Sequence, residues 1–192
     1  RVQVAAVASE GELPVEGVEA EAFPRLGDIL IEEASVLSAS SDSGSGGYLI
    51  RGRDLHVDGD GSQLANNTRR SGVGRDAEID LRGTLALTGG GFIGSLAAGT
   101  GEAADLDIRS HDLVIGDYSL IASVSYGSAK GGALHITTDR LDIQGGAIRV
   151  WSGERDMPGE GGGGHLRVEA REIAMADSGT ISANTYGPGH GG

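Results

Sequence analysis

Cysteine is absent from all 192 residues, which excludes a disulfide framework and a thiolate metal site. Aromatic residues make up only 4% of the chain while glycine fills 35 positions, a combination that excludes an ordinary compact globule. Positive charge is scarce. With 15 Lys+Arg against 28 Asp+Glu the formal net charge is −13 at pH 7, so nucleic acid and anionic membrane surfaces are repelled. No apolar run approaches the ~20 residues of a membrane-spanning helix, so membrane insertion is not expected. The VAAVA stretch near Arg1 has neither the length nor the cleavage pattern of a secretory signal.

Glycine at this level without a strict every-third period is not collagen, and the apolar residues recur at a longer spacing. The segment LDIRSHDLVIGDYSLIAS, from residue 106 to 123, holds three alternating pairs: Leu106/Ile108, Leu113/Ile115 and Ile121/Ser123. The pattern returns as Leu134/Ile136, Leu141/Ile143, Ile148/Val150, and again as Leu166/Val168, Ile173/Met175, Ile181/Ala183. Upstream it reads Ile79/Leu81, Leu85/Leu87, Ile93/Ser95, preceded by Tyr48/Ile50, Leu55/Val57, Leu64/Asn66. A partial unit gives Ile29/Ile31 and Leu37/Ala39. The leading residue of the second pair falls at 29, 55, 85, 113, 141 and 173, a period of about 28 residues. Length variation collects in Gly/Ser/Asn-rich stretches after the third pair.

Each unit has three strands too short to bury anything alone, and the turns lack the two-residue signatures of antiparallel hairpins. If each unit makes one circuit, equivalent strands pair in parallel ~4.8 Å apart and all the apolar pairs point into one shared core. The expected fold is therefore all-β, a parallel β-helix with three short strands per coil over residues 27–192, and residues 1–26 form an irregular segment or degenerate first coil. Burying one ladder side chain is worth roughly 1.5 to 3 kcal/mol against the entropy of ordering each coil, so neighbouring coils must support one another. The small or polar second residues of the third pair, Ala39, Asn66, Ser95, Ser123 and Ala183, fit a narrow corner where a hydroxyl or amide bonds to backbone. A leucine-rich repeat would need helical returns, for which no periodicity is present. Asp58–Ser62 has the look of a calcium loop, but Arg69 stands where an EF-hand requires glutamate, so turn chemistry accounts for it.

The full unit reads as a GG entry, LxI, a turn, LxI, a turn ending in Gly or Ser, then IxA/S and a glycine-rich loop. In GGALHITTDRLDIQGGAI, GGHLRVEAREIAMADSGTISA and DLDIRSHDLVIGDYSLIAS it resembles the repeats of filamentous haemagglutinin-like exoproteins of two-partner secretion systems. That resemblance implies a right-handed β-helix exported to the medium or the bacterial cell surface, poor in cysteine, acting as an adhesin, a fibre or a stalk.

Two sets of side chains are candidates for chemistry. Stacking predicts Asp80, Asp107, His135 and Arg167 in one exposed column on the first strand. Carbohydrate-active β-helix enzymes, lyases or hydrolases, use acidic and basic groups on such a face, so this column is the site under the alternative, enzymatic reading. The bland account is that outward strand positions are polar anyway. The second set is aromatic: Trp151 with Tyr48, Tyr118, Tyr126 and Tyr186 could stack on sugar rings, and Tyr126 and Tyr186 occupy equivalent positions in their units. Trp151, Tyr126 and Tyr186 are the glycan candidates, with loop aromatics covering the core edge as the competing account. His165 and His190 lie in glycine loops with no further ligand nearby, so neither a metal nor a cofactor is expected.

The repeat runs to GPGHGG in phase and without a visible cap, and uncovered strand edges predict end-to-end or lateral self-association. The first reading is thus a non-enzymatic, secreted or surface-attached structural and adhesive module of a fibrous exoprotein or filament, with host or matrix glycans as partners.

Overall fold

A computed structural model describes residues 1–9, 23–154 and 157–188, which contain strands and no helix. They form the expected β-solenoid, about five turns with about 29 residues per coil. The second-face strands lie in the predicted register, with Leu55 opposite Leu85, Leu113 opposite Leu85 and Leu141, and Ile173 closing the row. The third face likewise stacks Leu37, Leu64, Ile93, Ile121, Ile148 and Ile181. These side chains meet in a single apolar core in which Leu85, Leu113, Ile93 and Ile121 are fully buried.

Three departures from the expected layout have physical causes. The first face begins earlier than the repeat suggests. Strand Val2–Ala5 pairs with Tyr48–Gly52 and so supplies the first face of the coil that continues in Ile29–Ile31, with a longer stretch of chain between its first two strands than later coils have. Phe23 and Leu26 of that stretch are buried, with Val7 packed against them. In the last three turns the first and second strands run together as Leu106–Gly116, Leu134–Gln144 and Leu166–Ala176, merging two faces into one nine-stranded sheet. Earlier turns carry glycine at this corner, Gly52 and Gly83, whereas RSHD, TTDR and EARE have none and stay extended through the bend. There Thr138 donates from inside the corner to the His111 carbonyl at 2.9 Å, satisfying a polar group where apolar packing stops. The third departure lies on the first face. The sequence pattern pairs Ile79 with Leu81, but the fold aligns Ala77 with Leu106 and Ile79 with Ile108.

The third-face polar ladder matches expectation. Ser95 and Ser123 are buried and donate to the carbonyls of Ala104 and Gly132, each at 2.9 Å, while Asn66 donates to the Arg75 carbonyl at 2.7 Å. These bonds tie the third strand to the loop that leads into the next coil.

Tyr48 does not join any surface platform: it is fully buried, and its ring lies in the row that places the small Ala77 in the next coil. Its hydroxyl has no hydrogen-bond partner among the described residues, and burial pushes its pKa well above the ordinary phenol value. Tyr48→Phe is expected to stabilise the fold by about 1 kcal/mol at pH 7, because an unsatisfied buried donor is removed. A raised folded-state pKa leaves stability unaffected below the unfolded phenol value of about 10 and erodes it above, since only the unfolded chain ionises readily. Urea denaturation at pH 7 and at about pH 11 should show the alkaline loss in the native chain and a smaller one in Tyr48→Phe.

Candidate functional site

On the first face, alternation turns charged residues outward, and the register decides which of them meet. Asp107, His135 and Arg167 stand side by side as predicted, with His135 Nδ1 3.6 Å from Asp107 Oδ1. Asp80 does not join them. The two-residue shift puts Glu78 beside Asp107 and sets Asp80 between Arg51 and Arg109. Ala77, small and easily passed over, occupies the inward position that the sequence pattern gives to Ile79. Arg51 donates to Glu78 at 2.7 Å and approaches Asp80 at 3.5 Å, while Arg109 reaches Glu78 at 3.4 Å. Arg167 binds Glu169 on its own strand. Most carboxylates of this face thus stand beside a basic group, and the exposed pairs among them are worth no more than about 1 kcal/mol each. A cleft of about 540 Å³ beside it is lined by Arg75, Asp76, Glu78 and Asp107 with Arg1.

The third face differs in kind. Its inward positions are Ile93, Ser95, Ile121 and Ser123, so the alternate residues face out, and many of them are apolar. Phe92 stands opposite Leu120, and Leu96, Val124 and Trp151 form a row across three turns. Arg149 follows Ala122 in the row between. Ala122, Val124 and Ala147 are nonetheless buried, and Phe92, Leu96, Leu120 and Trp151 are half-buried, so this apolar face is largely covered.

At one edge of this surface, Trp151, Tyr186, Arg149, Glu154 and Asn184 line a cleft of about 380 Å³. Tyr186 is 52% exposed and Trp151 half-buried. Tyr126 joins the group from the neighbouring coil through a hydrogen bond from its hydroxyl to Glu154 Oε1 at 2.8 Å. Partial burial and the adjoining Glu154 carboxylate push the Tyr126 phenol up, a side-chain hydrogen bond with Trp151 opposing them. The fold therefore brings Trp151, Tyr126 and Tyr186 together at one place. Their equivalence explains how: Tyr126 accompanies the strand Leu120–Ser125, Tyr186 the strand Thr180–Thr185, and Trp151 lies on the strand between them. Three aromatic side chains from successive coils thus stand beside amide, guanidinium and carboxylate groups, a composition suited to polyhydroxylated ligands.

No family model, curated protein or solved structure matches this chain.

The site thus rests on its own geometry. Arg149, Glu154 and Asn184 escape a reading by motif, since each is a single polar residue in a strand or loop. The available signal was parity: Arg149 and Trp151 are two residues apart and share the outward face of one strand. Tyr118 lies apart from this cleft, at the corner before the strand Leu120–Ser125. Among the described residues no three His, Asp or Glu side chains gather as a metal site. His165 is exposed, and His190 lies outside the described residues.

Proposed function

We propose that this chain is a non-enzymatic structural and adhesive module of a secreted or cell-surface fibrous protein, a stiff solenoid that binds glycans at the Trp151–Tyr186 cleft. The observation that carries the reading is the meeting of Trp151, Tyr126 and Tyr186, from three successive coils, beside Arg149, Glu154 and Asn184. The repeat grammar's resemblance to filamentous haemagglutinin-like exoproteins supports the adhesive setting, and the continuous ladders supply the rigidity of a stalk. The first-face charges support the same assignment, because Glu78, the carboxylate beside Asp107, is held by two arginines. Self-association end to end belongs to this reading, because the strand edges of a stacked parallel array are templates for another copy. Negative-stain images should then show rods longer than one chain; rods of single-chain length throughout would overturn that part.

The binding claim is tested on a glycan array followed by titration of the strongest hit. Trp151→Ala should weaken binding at least tenfold, the loss of roughly 1.4 kcal/mol or more that removal of a stacking ring predicts. Unchanged affinity in Trp151→Ala, or no hit across the array, would overturn it.

A further inference from the structure

The cleft at Trp151 continues into a second one. About 370 Å³ of open volume lies between the coils on the other side of Arg149, lined by Tyr118, Leu120, Ala147 and Asp177, and Arg149 itself lines both clefts. The two follow the direction of the strand Ala147–Glu154, which at ~3.3 Å per residue runs some 23 Å, about the length of four or five pyranose rings. Aromatic side chains stand at both ends. Tyr186 and Trp151 mark one, and Tyr118, 92% exposed, marks the other.

Asp117 and Tyr118 have left-handed φ values, 50° and 62°, as do Glu33/Ala34 and Asp177/Ser178 at the equivalent corners and Gly89 and Gly90 in the preceding coil. The turn therefore belongs to the repeat, and at this one corner it carries an aromatic ring into solvent. The lining between the ends mixes apolar Leu120 and Ala147 with Ser119 and Ser178, and among the described residues Arg149 is the one cation lining either cleft. Glu154 lines one cleft and Asp177 the other, so the described lining residues carry a small negative charge inside a protein of net charge −13. Such a field disfavours ligands with repeated carboxylates or sulfates, while apolar side chains and ring faces suit the uncharged faces of sugar rings and Arg149 donates to their hydroxyls.

Resting on the glycan-binding reading, we propose that the ligand is a neutral, linear glycan chain lying across the third face, with Tyr118 as its second stacking platform. Calorimetric titration of the whole chain with hexaoses of β-1,4-glucose, β-1,3-glucose and β-1,4-mannose, their disaccharides, and hexagalacturonate tests it. At least one neutral hexaose should bind, its disaccharide about tenfold or more weaker, and hexagalacturonate weaker by a similar factor. Tyr118→Ala should reduce the hexaose to the affinity of the disaccharide and leave the disaccharide unchanged. Tyr118→Gly should do the same while easing the backbone, so that loss of binding there is not loss of folding. Tighter binding of hexagalacturonate, equal affinity for disaccharide and hexaose, or a hexaose indifferent to Tyr118 would overturn this proposal. Any of those with binding still dependent on Trp151 leaves the glycan-binding reading standing. Sugar binding that is absent across the panel and the array overturns both.

Discussion

Leu113→Ala is expected to destabilise the solenoid by about 3 to 4 kcal/mol, measured by urea denaturation, the upper range for a leucine whose site cannot collapse. Leu113 is fully buried and lies between Leu85 and Leu141 in the second-face row, so the lost methyl groups leave a cavity walled on both sides by neighbouring coils. Ile173 holds the same position two coils later but is 52% exposed, and Ile173→Ala should cost only about 1 kcal/mol. Hydrogen exchange sharpens the comparison, because stability in a stacked array is a sum of coil and interface contributions. Leu113→Ala should speed exchange in the flanking strands Thr84–Thr88 and Leu134–Gln144, while Ile173→Ala should act on the last coil alone. Equal costs for the two substitutions would contradict a core built from coil-to-coil contacts.

Gly132→Ala should be comparably damaging, about 3 kcal/mol or more, for a reason unrelated to backbone preference. A Cβ at Gly132 would lie 2.2 Å from the Ala104 carbonyl oxygen and 2.6 Å from its carbon, both backbone atoms of the preceding coil. Separation of the two coils is the only relief, and it would strain the bond from Ser123 to the Gly132 carbonyl. Gly145→Ala is the matched control. Gly145 has a left-handed φ of 73°, but its nearest foreign atom to a Cβ would be 3.5 Å away, so only the conformational cost of about 1 kcal/mol applies. Thermal or urea denaturation of the pair should therefore separate clash from conformation, with Gly132→Ala much the worse.

These two predictions rest on features of unequal legibility. The ladder of Leu55, Leu85, Leu113 and Leu141 could be read directly, because a strand's alternation and a fixed period leave one arrangement that buries every pair. The serine ladder was equally plain, since a small polar residue at an inward position must find a backbone partner. The first-face register was harder. Alanine gives a weak inward signal, so the apolar pattern skips Ala77 and places Asp80 where Glu78 stands. Val2 and Val4 escaped for another reason: a longer stretch of chain separates them from the rest of their coil, and periodicity is blind across it.

By itself the sequence determined a stacked, parallel, cysteine-free solenoid with its period, its second and third faces and its polar corner, because those follow from local alternation repeated many times. The tertiary structure alone decided which outward residues become neighbours. Outward positions need not be apolar and so leave little periodic trace, and their meeting depends on coil register and on loop lengths that vary from turn to turn. That is why the pairing of Glu78 with Asp107, and the gathering of Arg149, Glu154 and Asn184 around Trp151 and the two tyrosines, emerged only when the coils were laid one upon another.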